Sequence, residues 1–259
     1  WDGLCGGEGG VDDNAGYSQQ TEEAIISSAD VVTASARTLA EHLKGRFGLQ
    51  DRPVVVPNSL DPSFLMRPVR GRPPELPDRG PIVGYVGSIW GNWQDWETLL
   101  AVARSRPSWQ IVLVGGEPEE CAYRGRAAAA FTRQPNVQFI PEVPQTRIHR
   151  YIDAFDVSII PFKPGGISRF VHPLKIYDYL ARACPVVSCP LPEIEGYPYV
   201  RFAEEPSEWL GALAEAMSEP IDPDVVFDFL RHRTWSRAVD RLLSAAGLEQ
   251  LVGPEGRHL

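Results

Sequence analysis

Short continuous apolar runs alternate with amphipathic stretches through most of this chain. From residue 82 onward the runs Ile82–Val86, Trp109–Val114, Val137–Ile140 and Asp156–Pro161 show little inside-outside alternation. That is the pattern of strands buried on both faces. Between them, Trp93–Ser105, Ala122–Thr132 and Gln145–Ala154 place apolar residues at helical spacing. Pro185-Val186-Val187 and Tyr199–Phe202 add two further strands, while Pro206–Met217 and Asp222–Ala246 read as helical, the last interrupted near Thr234. Strands alternating with helices at this spacing imply a parallel sheet covered on both faces. The predicted fold class is therefore α/β and Rossmann-like.

The N-terminal part repeats the alternation on a smaller scale. Thr21–Ala29 reads as helix, Asp30–Thr33 as strand, and Ser35–Phe47 as helix with Ser35 as N-cap and Gly48 as stop. Val54–Val56 is a strand closed by Pro57-Asn58. Pro62–Pro81 is dense in proline and arginine and reads as a linker. The expected division is residues 1–61 as the remnant of a second Rossmann-like domain, 62–81 as linker, 82–221 as a ligand-binding domain and 222–259 as closing helices. The chain opens on Trp1, and Gly3–Gly16 is rich in glycine and acids, a start that reads as a cut into a longer protein.

Composition narrows the function classes. At 259 residues with 43% hydrophobic content, a sizeable core is affordable. No apolar run is long enough for a membrane span, and no signal-peptide pattern is present. A net charge of −9 argues against a nucleic-acid partner. The four cysteines, Cys5, Cys121, Cys184 and Cys189, have no metal-ligand spacing and suit buried thiols in a reducing compartment.

The chemistry concentrates between Asp156 and Cys189. Gly165-Gly166 frees the backbone after a strand, Pro173 suits the first turn of a helix, and Lys175 follows in that turn with Arg169 in the loop before it. A helix start favours an anion, and two cations strengthen the preference, so a phosphate group is the expected ligand. Ligands of parallel sheets bind beyond the C-terminal strand ends, where Gly87-Ser88, Gly115-Gly116 and Pro141-Glu142 also fall.

Four passages then carry a resemblance. They are Ala29–Ser35 with Val55–Asp61, Ile82–Ser88 with Trp109–Gly115, Pro173–Ala181 with Pro185–Val187, and His232–Arg237. In this order and spacing the chain resembles the C-terminal, donor-binding half of a GT-B glycosyltransferase, of the family 4-like (group 1) kind, over roughly Glu22–Leu243. The resemblance implies transfer of a hexosyl group from a nucleoside-diphosphate sugar to a hydroxyl acceptor, with retention of configuration and no catalytic metal or other cofactor. The diphosphate would sit at His172, Pro173, Leu174 and Lys175 and against the Gly87-Ser88 turn. Asp178 would grip the ribose hydroxyls, and the base would lie along Glu142-Val143. Lys175 and Arg169 would stabilise the leaving group. Implied partners are the nucleotide sugar and a glycan or lipid-linked acceptor, in cell-envelope synthesis. The implied location is cytoplasmic, with peripheral membrane contact through the absent N-terminal half.

Two departures stand out. Phe170 occupies the position where the family places an acid, and Ile89–Glu97 lacks the family's basic pair. Rival readings are a sugar-nucleotide 2-epimerase, a non-catalytic sugar-nucleotide-binding relative, and a receiver-type module, the last lacking the acidic cluster it would need. His172 reads as a general acid or as a packing residue. Trp90, Trp93 and Trp96 read as one apolar helix face, and Asp222-Pro223-Asp224 as an N-cap.

Overall fold

The structure is a computed structural model that describes residues 15–62, 71–89 and 93–249. In chain order the elements are α1 (Ala15–Ser28), β1 (Thr33–Ala34), α2 (Arg37–Phe47), β2 (Val54–Val55), β3 (Ile82–Val86), α3 (Trp96–Ser105), β4 (Gln110–Val114), α4 (Pro118–Ala122), α5 (Arg126–Phe131), β5 (Val137–Ile140) and α6 (Gln145–Ile152). Then follow β6 (Val157–Ile160), α7 (Lys175–Ala181), β7 (Val186–Ser188), β8 (Val200–Phe202), α8 (Pro206–Ser218), α9 (Pro223–Leu230) and α10 (Trp235–Ala245). Single 3-10 turns form at Gly166–Phe170 and Pro192–Ile194.

Strands β3 to β8 make one six-stranded parallel sheet in the order β5-β4-β3-β6-β7-β8. The chain runs outward from β3 to β5, crosses back, and runs outward again from β6, so strand order reverses between β3 and β6. Every residue of β3, β6 and β7 is buried, which explains why these segments read as continuous apolar runs. Helices α3, α5 and α8 pack together over the sheet, and α6, α7 and α9 form a second packed group. One contiguous core runs through both groups. A separate small cluster of Ala34, Ala36, Leu39, Ala40 and Leu43 accompanies the β1–β2 pair.

Several expectations are corrected by local chemistry. Asp95 caps α3, its carboxylate accepting from the Thr98 N–H at 3.1 Å, so the helix starts at Trp96 rather than Trp93. Trp93 therefore precedes the helix and is half in solvent while Trp96 is buried, and the two do not share a helix face; Trp90 lies outside the described residues. The predicted helix 122–132 contracts to α5, which starts after Gly125 at φ 119°, and a separate short helix, α4, precedes it. Ala36, not Ser35, is the N-cap of α2, and it provides no side-chain cap, whereas Gly48 does close the helix in the left-handed region. Helix α1 begins at Ala15, before the expected Thr21, and the expected strand at 30–33 contracts to Thr33–Ala34. Asp222 caps α9 by accepting from the Asp224 N–H. The break at Thr234 has a physical cause: Leu60 donates to the Arg233 carbonyl at 2.8 Å and accepts from the Trp235 N–H at 3.1 Å. The proline-rich stretch is irregular over 71–81, and its residues 63–70 lie outside the described residues.

Candidate functional site

The site grows from the end of β3. The chain leaves Val86 through Gly87 at φ 129°, a conformation that side chains other than glycine's rarely tolerate. The Gly87 N–H donates to the Val114 carbonyl at 2.9 Å, and a Cβ on Gly115 would lie 2.7 Å from the Gly87 oxygen. Two strand ends thus meet backbone to backbone and leave a floor without side chains. Above it stands Lys175: a Cβ on Gly87 would lie 2.9 Å from the Lys175 Nζ.

Strands β3 and β6 together position that ammonium. It donates to the Tyr85 hydroxyl at 2.7 Å and lies 4.1 Å from the Tyr85 ring centre and 5.3 Å from that of Phe162. Tyr85 belongs to β3 and Phe162 follows β6, so the charge sits at the reversal of strand order, where open α/β sheets bind ligands. The Tyr85 hydroxyl in turn donates to the Ser88 carbonyl at 2.9 Å, leaving a lone pair for Lys175. Buried Gln94 donates to the same carbonyl at 3.1 Å, and its own Oε1 has no hydrogen-bond partner among the described residues.

Asp178 lies one turn along α7, on the same face as Lys175. It is half-buried, and no hydrogen bond or ion pair reaches its carboxylate among the described residues. Burial pushes its pKa up to about 6, against the pull of the nearby Lys175 charge. It borders a cavity of about 260 Å3 with Ser59, Leu60, Asp61, Gln145, Leu174 and Trp235.

The remaining predicted residues are dispersed. Helix α7 begins at Lys175, not Pro173, and is only seven residues long, so positive charge at its start comes mainly from the lysine side chain. Pro173 is buried, and Leu174 is exposed at the cavity. The His172 ring is 4% exposed, its Nε2 3.0 Å from the Tyr197 hydroxyl, while its carbonyl accepts from Asn58. Burial lowers its pKa to about 4, and the ring packs edge-on against Tyr177 and Tyr197. The Arg169 guanidinium is exposed and lies over the Phe170 ring at 4.6 Å rather than at the Gly87 turn. Phe170 packs on the Leu39–Leu43 cluster, its ring centre 4.7 Å from that of His42. Glu142 is exposed just past β5, and Val143 is half-buried against the main core. One strand, β4, separates β5 from β3, so this position lies about 10 Å across the sheet from β3.

Sequence reading missed Tyr85, Gln94, Asp61 and Trp235. Tyr85 sits inside an apolar run and reads as core; its polar tip becomes informative only once Lys175 is placed. Among the described residues no three His, Cys, Asp or Glu side chains converge to hold a metal ion. Cys121, Cys184 and Cys189 are buried free thiols, with burial pushing the first two up to about 12 and the third to about 11. No described helix is long and apolar enough to cross a membrane.

Comparison with known proteins adds an independent line. A family model described as Glycosyl transferases group 1 matches residues 80–219. TuaH of Bacillus subtilis (strain 168), named as a teichuronic acid biosynthesis glycosyltransferase, is 22% identical over 250 residues, 90% of this chain and 60% of TuaH. Sucrose-phosphate synthase from Thermosynechococcus elongatus superposes with TM-score 0.65 at 18% identity, covering 93% of this chain and 64% of that one. TarM of S. aureus, solved with Fondaparinux, alpha-GlcNAc-glycerol and UDP, gives TM-score 0.61 at 12% identity over 92% of this chain and 48% of TarM. This chain thus spans less than two thirds of the length of each of these three proteins.

Proposed function

The chain belongs to the group 1 glycosyl transferases and has their GT-B type of fold, and from that premise we propose that residues 82–221 bind a nucleoside-diphosphate sugar. The full-length protein then passes its hexosyl group to a hydroxyl acceptor. The observation that carries this reading is the Lys175 ammonium poised over the bare Gly87 turn at the reversal of strand order. A diphosphate needs a cation and a surface free of side chains that it can approach closely, and both meet here. As the glycosidic bond breaks, charge builds on the diphosphate, and a lysine already fixed by Tyr85 and Phe162 stabilises it without reorganising. Asp178 accepts the ribose hydroxyls, and the base extends toward Glu142 and Val143. Arg169 is a secondary contact that must leave the Phe170 ring to take part. Retention of configuration, and transfer without a catalytic metal, are carried over from the family resemblance.

The domain division and the setting complete the proposal. Residues 1–61 contribute to an acceptor domain, 62–81 link it, and 222–259 cross back toward it. The name of TuaH favours a cell-envelope glycan or glycolipid acceptor, met at the cytoplasmic face of the membrane. Phe170 favours a second reading, a sugar-nucleotide binder without turnover, and a transfer assay on the full-length protein separates the two.

Calorimetric titration of the 259-residue chain with UDP, GDP and ADP, and with the matching nucleosides, tests the site. UDP is the first probe because TarM was solved with it. Lys175→Ala should weaken the bound diphosphate about 30-fold, roughly 2 kcal/mol, and its nucleoside less than about 3-fold. Equal weakening of both overturns the phosphate assignment.

A further inference from the structure

Residues 82–221 do not close the Asp178 cavity alone. Ser59, Leu60 and Asp61 reach it from before the proline-rich stretch, and Trp235 reaches it from the first position of α10. Backbone bonds fix these two segments in register: Leu60 donates to Arg233 at 2.8 Å, Trp235 donates to Leu60 at 3.1 Å, and Leu60 bridges Thr234 in parallel. Leu60 and Thr234 are buried, so the anchors are rigid, yet the Trp235 side chain remains 42% exposed at the cavity. Leu174 borders the same space and is exposed to the same extent.

The lining is therefore two-sided in chemistry. Trp235 and Leu174 offer apolar surface, while Asp178 and Gln145 offer polar groups, and Asp178 has no hydrogen-bond partner among the described residues. A flat ring system with a hydroxylated edge satisfies both sides at once. At about 260 Å3 the cavity is smaller than the space a whole nucleotide sugar needs, and suits its nucleoside portion. We propose that Trp235 is a specificity-determining contact of the donor, its indole stacking on the nucleoside whose diol Asp178 accepts. This rests on the nucleotide-sugar reading above and extends it. Because Trp235 is positioned by the Leu60 stitch, nucleoside binding then depends on the docking of α10 against residues 59–61.

The test uses Trp235→Ala and Trp235→Phe in the 259-residue chain, titrated with UDP, GDP, ADP and inorganic pyrophosphate. The backbone N–H of Trp235, not its ring, makes the stitch, so both variants keep it. Trp235→Ala should raise the Kd of the nucleoside diphosphate about 10-fold, in line with the loss of one base–aromatic stack, and leave pyrophosphate within about 2-fold. Trp235→Phe, which keeps an aromatic face, should stay within about 3-fold of wild type. Unchanged diphosphate affinity in Trp235→Ala overturns the proposal, as does equal weakening of pyrophosphate, the mark of a purely structural residue. If the wild-type chain binds pyrophosphate through Lys175 but gains nothing from any nucleoside, this proposal fails while the phosphate site stands. If it binds none of the four, the nucleotide-sugar reading itself falls.

Discussion

Asp178 and Glu193 carry the same chemical group, both withdrawn from water, and end in opposite electrostatic states. Glu193 sits in the 3-10 turn Pro192–Ile194 with its side chain 5% exposed. Its Oε1 accepts from the Thr38 N–H at 2.9 Å and from the Thr38 hydroxyl at 3.0 Å. It therefore caps α2 from a distant part of the chain, where Ala36 has no side chain to offer. Burial alone would raise its pKa, but bonds from Arg37 and Thr38 and the Arg37 charge more than offset it, and the carboxyl is held below its usual range. Asp178 has the burial without the donors, and its pKa rises to about 6. A carboxylate whose donors come from the fold is spent on the fold. One whose donors are missing is a candidate to receive them from a ligand's hydroxyls.

Exchanging the two roles would break this contrast, and the largest effect is expected at Glu193. Glu193→Ala strands the Thr38 N–H at a seam where the Thr38 hydroxyl also donates to the Arg169 carbonyl and the Phe170 ring packs. It should cost about 2–3 kcal/mol in urea denaturation at pH 7, with UDP affinity changed by less than about 3-fold. Loss of UDP binding at unchanged stability would reverse the assignment. Asp178→Asn should do the opposite. In the folded chain the Asp178 pKa lies above its ordinary 3.8, so from about pH 4 to 6 the folded state holds a proton that the unfolded state has released. The burial cost is thus absent at low pH, grows as pH rises, and is complete above about 6. The Asn variant should be more stable than wild type by roughly 2 kcal/mol at pH 7.5, the gain shrinking toward zero near pH 4. The same variant should lose discrimination between UDP and its 2′-deoxy analogue. Glu193 has the reverse slope: its contribution is present above the ordinary glutamate pKa and fades as pH falls through its lowered value.

The contrast also marks what the sequence could disclose. Buried parallel strands write themselves as apolar runs, so β3 and β6 and the order of alternation were legible from Ile82 onward. Lys175 stood out in the sequence by its place in the first helical turn after a strand and loop, and Asp178 only through the family resemblance. The Glu193 cap was not, since the residue it serves lies 155 positions away and Ala36 gives no local hint. For the same reason Trp235 read only as part of a helix break, its place at the cavity depending on the stitch to Leu60. Phe170 looked like a missing acid; packed against His42 and the Leu39–Leu43 cluster, it holds α2 to the turn that precedes α7.

The smallest expected effect refines what kind of partner matters. Arg37 lies 3.6 Å from the other Glu193 oxygen and donates to the Pro192 carbonyl, but its side chain is 63% exposed. An exposed ion pair is screened by water and salt, so Arg37→Ala should cost no more than about 0.5 kcal/mol, and less still in 1 M salt. Thr38, by contrast, presents its N–H, and a hydroxyl shared with the Arg169 carbonyl, to a carboxylate shielded from water, and these should carry most of the Glu193 contribution. Urea denaturation of Arg37→Ala at low and high salt decides between them. A loss above about 1.5 kcal/mol at low salt would mean that charge, not hydrogen-bond supply, holds this seam. Asp178, with the Lys175 charge already close by, would then differ from Glu193 only in degree, and its missing donors would no longer single it out as the ligand's partner.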